Sequence, residues 1–181
     1  MFNRDVMRTI SMNGRMAYII LCIEKYLLEM YPEKDWKELS KRMWKATSEA
    51  WDEWMDSFIE IIPQYLFEFD TYEDSDFEEL SEEEYKFFID LYSGVTEGLF
   101  DDSTNKVGYI INTLKLMEEV YCYTSIPGTG EESIDLILQV CEILEEDNVS
   151  LPDLDLVEFT SFDERNGWGE KFDGEKMSMI L

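Results

Sequence analysis

Between Phe67 and Glu84, ten of eighteen residues are carboxylates, four are aromatic and none is basic. This run constrains the fold more than any other. A solvated acidic segment has no use for rings, because nothing in it needs burying. Phe67, Phe69, Tyr72 and Phe77 are instead interleaved with the charges. One side of the segment is therefore expected to pack, leaving a fixed surface of negative charge.

The charge around this run is uneven. Residues 1–45 hold nine Lys/Arg against six Asp/Glu, a net of +3. Residues 46–105 hold nineteen acids against Lys86 alone, −18, and residues 106–181 hold seventeen acids against five bases, −12. Together these give the net −27 of the chain. A field of that sign disfavours nucleic acid and anionic membranes as partners and favours basic proteins. At 181 residues and 45% hydrophobic, the chain suits one domain, 1–181, with ample core.

Helical periodicity dominates up to residue 151. Val6, Ile10, Ala17, Leu21, Leu28 and Tyr31 predict one long helix over 4–30, apolar on most sides and ended by Pro32. Asp35 and Glu38 have capping-box spacing and predict a second helix with Trp36, Leu39, Met43, Ala46 and Ala50 inward. Thr47-Ser48 is expected to break it. A third helix follows, burying Trp51, Trp54, Met55, Phe58, Ile59 and Ile62, up to an end or kink at Pro63. Ser81 and Glu84 form another capping box, opening a helix with Tyr85, Phe88, Ile89 and Tyr92 inward and a stop at Gly94. Residues 94–104 read as a loop. Val107 to Tyr121 and Ile134 to Leu144 give two more amphipathic helices. The fold class expected is mainly α: a bundle of about six helices.

The tail, 151–181, loses this period. Leu154, Leu156, Glu158 and Thr160 alternate with Val157, Phe159 and Ser161 as in an extended segment. Asn166-Gly167 is a two-residue turn signal, so a small hairpin is expected, with Met177 to Leu181 packed on the bundle.

The chemistry is limited by what is missing. There is no histidine, which removes Ser-His and Cys-His pairs and histidine metal ligands. Cys22, Cys122 and Cys141 sit apart among apolar residues and read as buried free thiols of a reducing, cytoplasmic setting. The loop Pro127 to Ser133 resembles a phosphate loop only superficially, since its lysine is missing. Thr129 and Glu132 read instead as a capping box. The acidic run fails as a calcium loop: counted from Asp70, Ser75 falls where glycine is needed and Ser81 where glutamate is needed. No catalytic group, cofactor, metal or small-molecule substrate is expected.

The candidate partner-binding residues are Asp70, Tyr72, Glu73, Asp74, Asp76, Phe77, Glu78, Glu79, Glu82 and Glu83, with Trp168 between two glycines as a second anchor. Several segments, taken together, resemble the immunity proteins of bacterial polymorphic toxin systems. They are Glu24-Lys25-Tyr26-Leu27 in the opening helix, the Tyr31-Pro32-Glu33-Lys34-Asp35-Trp36 junction, the acidic-aromatic centre, and the Glu164-Arg165-Asn166-Gly167-Trp168-Gly169 tail. The resemblance implies a protein that binds and blocks a cognate toxin in the producing cell. Many such toxins are basic nucleases, which would account for the charge. The alternative is an acidic helical adaptor that binds another basic cellular protein.

The charge generates a first prediction. Self-repulsion weakens the fold when screening is poor. Raising salt from about 0.01 M to about 0.15 M shortens the Debye length from roughly 30 Å to roughly 8 Å, so the melting temperature should rise by several degrees. A flat or falling melting temperature would mean that the acids are already compensated.

Overall fold

The longest helix sets the architecture. A computed structural model describes residues 2–96, 105–122 and 124–181. Helix α1 spans Arg4–Thr9 and α2 Met12–Met30. Almost every residue of α2 from Met12 to Leu27 is buried. A helix apolar all round belongs in a core, and α8 (Glu131–Glu146), α7 (Lys106–Tyr121) and α3 (Lys37–Trp44) pack round it. Helices α4 (Trp51–Phe58) and α5 (Pro63–Leu66) lean on α7, and α6 (Glu82–Tyr92) packs on α5. These are eight α-helices, joined by 3₁₀ turns, with no strand among the described residues.

The extra helices come from breaks. The expected helix over 4–30 is two, because Ile10 is extended and the Ser11 hydroxyl accepts the Gly14 N–H at 3.1 Å, starting α2 afresh. The third helix ends ahead of Pro63 as expected, since Ile62 before it is extended, and Pro63 itself opens a further helix, α5, at a position where its missing N–H costs nothing. The Ser81–Glu84 capping box forms as expected. The other two do not. Asp35 accepts only the Lys37 N–H at 3.3 Å, and Trp36, buried in the core, takes the cap position of α3. Ahead of α8, Gly130 caps in the left-handed region at φ 68°, and Thr129 donates to Glu131 instead, at 2.7 Å. Residues 97–104 of the expected 94–104 loop lie outside the described residues.

The tail forms no hairpin. The chain does turn at Asn166-Gly167, where the Gly169 N–H donates to the Glu164 carbonyl at 3.1 Å, but no strand ladder extends from the turn, and beyond it the flanks bond to neighbouring elements. Phe162 N–H donates to Thr9 C=O at 2.8 Å, and Phe172 N–H to Thr47 C=O at 2.9 Å. The Trp168 carbonyl accepts the Asn13 N–H at 3.1 Å. Val157 and Thr160 are buried three residues apart, the spacing of a turn, while Leu156 and Phe159 are exposed. Gly14 allows the approach, since a Cβ there would stand 2.0 Å from Thr160 Oγ1.

Two buried charges fasten these pieces. Arg15 is fully buried and, among the described residues, forms no ion pair. Its guanidinium donates to the carbonyls of Met7 (3.1 Å), Thr129 (2.7 Å) and Gly130 (3.0 Å) and to Ser133 Oγ (2.9 Å), and lies 4.9 Å from the Phe162 ring. Burial lowers it from 12.5 to about 10, so it stays cationic at neutral pH. Glu24, also fully buried, accepts from the Ser40 hydroxyl, Trp44 Nε1 (2.8 Å), Ser178 Oγ (2.6 Å) and Met179 N–H (2.7 Å). That carboxylate holds the C-terminal segment on the bundle, with Met177 and Ile180 packed against the core.

Removing it would strand buried donors, each costing about 1–3 kcal/mol. Glu24→Ala should therefore lower the unfolding free energy by about 3 kcal/mol or more, and amide exchange at Met179 should quicken. A loss under about 1 kcal/mol in urea titration would show that these hydrogen bonds are not needed.

Candidate functional site

The acidic run folds back on the end of α4. After α5 the chain forms a short 3₁₀ turn at Tyr72–Asp74 and reaches Ser81 without regular structure. Glu60, just beyond α4, fixes it. Its carboxylate accepts three consecutive backbone N–H groups: Glu78 at 2.7 Å, Glu79 at 3.1 and 3.3 Å, and Leu80 at 2.6 Å. Bonds to an ionised acceptor are the stronger kind. Leu80 is buried, and its carbonyl accepts from the Tyr72 hydroxyl at 2.9 Å.

The rings form a cluster beneath the loop. Phe77 stands 5.5 Å from Phe69, 6.3 Å from Tyr72 and 5.9 Å from Tyr85 between ring centroids. Tyr72 and Phe77 are half-buried against the core. They support the loop; neither projects as a free anchor. The interleaving thus places rings inward and charges outward.

The carboxylates are left to solvent. Asp70, Glu73, Asp74, Asp76, Glu78 and Glu79 are all exposed, and among the described residues none of them forms an ion pair. The Asp74 carboxylate accepts the Thr71 hydroxyl at 2.8 Å. Glu82 pairs with Lys86, and Glu83 is exposed. Glu84 differs: it pairs with Arg42 at 2.5 Å, and the hydrogen bonds from Ser81, with Arg42 adding to them, hold its carboxyl below the usual range.

Several cations of the basic first third are engaged away from the loop. Arg4 and Arg8 tie α1 to Glu131 and Asp135 on α8. The hydrogen bond from Arg8 leads in drawing the Glu131 carboxyl down to about 2. Lys34 donates to the carbonyls of Asp90 and Ser93 at the end of α6, at 3.2 and 2.9 Å.

A groove of about 550 Å³ lies between the end of α4 and the loop. Its lining combines the acids Asp56, Glu60, Glu68, Asp76, Glu78 and Glu79 with Ile59, Tyr65, Phe69 and Phe77. No base lines it. Acids beside apolar groups suit a side chain with a hydrocarbon stem and a cationic head.

Trp168 is not part of this groove. It lies half-buried at the other end of α4, edge-to-face with Trp51 at 5.0 Å and 79°. Arg165 beside it pairs with Glu170 at 2.8 Å, rather than with the adjacent Asp163 or Glu164. Of the three cysteines, Cys22 and Cys141 are buried and Cys122 is half-buried. The residue that sequence reasoning missed is Glu60. It stands eighteen positions before the first N–H it binds, in an ordinary helical run, and carries no local signal.

Glu60→Ala should release the loop while sparing the bundle. Amide exchange at Glu78, Glu79 and Leu80 should accelerate about tenfold or more, with α7 and α8 protection unchanged. Equal protection in the variant would mean that the ring cluster alone orders the loop.

No family model matches the chain, and comparison with curated proteins and with solved structures returns no match, so the functional reading rests on the chain's own residues.

Proposed function

We propose that this protein binds and neutralises a basic protein, and that the resemblance of its sequence to immunity proteins makes a cognate bacterial toxin domain the partner. One observation carries the reading: six loop carboxylates without ion pairs, on a loop ordered by Glu60 and by a ring cluster. An acidic segment that only solubilises has no need of such fixing. Fixed charge gives a potential with direction, which raises the association rate of a basic partner and orients it. The groove beside the loop then receives lysine or arginine side chains from that partner.

The loop itself has little to lose from the obvious test, since apart from the bond between Asp74 and Thr71 these side chains hold nothing in place. Glu73, Asp74, Asp76, Glu78 and Glu79 changed together to Lys should leave a cooperatively melting protein. The variant should associate with the toxin domain encoded beside it at least about tenfold more slowly at low salt, with a smaller change in dissociation. In cells, the native chain should rescue growth on co-expression with that domain and the variant should not. Unchanged association by the folded variant would remove this face from consideration.

A further inference from the structure

The loop's groove is not the only concavity on α4. At the start of the helix a cleft of about 520 Å³, within the size range of binding pockets, is lined by Trp51, Trp168, Ala50, Gly169 and half-buried Cys122. Charged groups of both signs stand round it, among them Glu49, Arg165 and Lys171.

The cleft is a built feature. Trp51 is fixed by its indole N–H, which donates to the Ala46 carbonyl at 3.1 Å. Trp168 is fixed through its carbonyl, which accepts the Asn13 N–H. Arg165 (φ 48°) and Asn166 (φ 56°) are held in the left-handed region, as are Gly167 and Gly169. For the two residues with side chains this costs roughly 1–2 kcal/mol each, and such cost persists where the surroundings impose it. Gly169 could carry no side chain, since a Cβ there would meet Ser11 Oγ at 2.3 Å. The turn therefore holds Trp168 over Trp51 as a wall and leaves the space beside it open.

The two concavities share a face. Asp52 lines the Trp cleft, and Asp56 and Glu60 line the groove. Asp52 and Asp56 are four apart and share one face of α4, and Glu60 follows on the 3₁₀ turn at its end, so the three form a stripe that bridges the two concavities. The stripe is about 12 Å long at 1.5 Å per residue, well within the span of one protein interface.

We infer that the Trp51–Trp168 cleft is the apolar half of the same binding face and receives an aromatic side chain of the basic partner. This rests on the proposed function and deepens it: the acid groove supplies steering, and the cleft supplies the desolvated contact that slows dissociation. Trp168 acts as a receptor wall here, where its place on a glycine-flanked turn suggested a projecting anchor. An aromatic ring suits the cleft because edge-to-face partners of tryptophan gain beyond their buried area.

The test uses small probes, so it stands apart from the partner's identity. N-acetyltyrosinamide titrated into the labelled full chain should shift the amide signals of Trp51, Gly167 and Gly169 saturably, with millimolar affinity, and should leave residues 70–79 unmoved. N-acetylargininamide should not reproduce those shifts. Trp168→Leu, with other signals in place, should abolish them; the loop variant with five lysines should retain them. Failure of the tyrosine probe to saturate, or equal shifts with N-acetylglycinamide, overturns the cleft assignment and leaves the acidic face standing. Saturation with unchanged toxin association in the five-lysine variant does the reverse.

Discussion

Glu24 is the interaction on which the rest depends. A carboxylate at the centre of a bundle is stable only when its oxygens are fully engaged. Here the donors come from two places far apart in sequence: Ser40 and Trp44 of α3, and Ser178 and Met179 of the C-terminal segment. Arg15, nine residues earlier on the same helix, does the converse with carbonyls from α1 and from the turn before α8. Two opposite charges on one buried helix thus fasten segments that come from distant parts of the chain. The tail crosses the bundle on these fastenings and on single backbone hydrogen bonds, without needing a sheet.

This arrangement explains the surface as much as the core. A chain with fifteen bases against forty-two acids cannot neutralise every part of itself. Several of the bases join helices: Arg8 to α8, Arg42 to α6, Lys106 to Asp147. Among the described residues, none pairs with the loop of residues 70–79. Its order comes instead from backbone N–H groups gathered by Glu60, and one acid thereby fixes a segment rich in others. Negative potential is concentrated where cations were not spent.

The sequence was legible where the causes are local. The stripe of α7 was buried as spaced, that of α8 likewise except for half-buried Leu138, and Ser81 with Glu84 capped α6, since a capping box needs only four residues. Where distant groups decided, the local signal misled. Thr129 and Glu132 have capping-box spacing, but Arg15 takes the Thr129 and Gly130 carbonyls and a left-handed Gly130 becomes the cap. The same holds for Asn166-Gly167, whose flanks are claimed by Thr9, Asn13 and Thr47. At the candidate site, the inward rings and outward acids could be read from their alternation. Glu60 could not, nor could the fact that Trp168 faces Trp51 across more than a hundred residues.

The central claim is that the acidic segment is a fixed charged surface and not a solvated tether. Backbone ¹⁵N relaxation across residues 68–81 tests it most directly. Order parameters near 0.85, the level of rigid backbone, are expected through Glu78, Glu79 and Leu80, matching α7 and α8. Values below about 0.6 through that stretch would contradict the account, because charges on a mobile chain have no fixed face to offer.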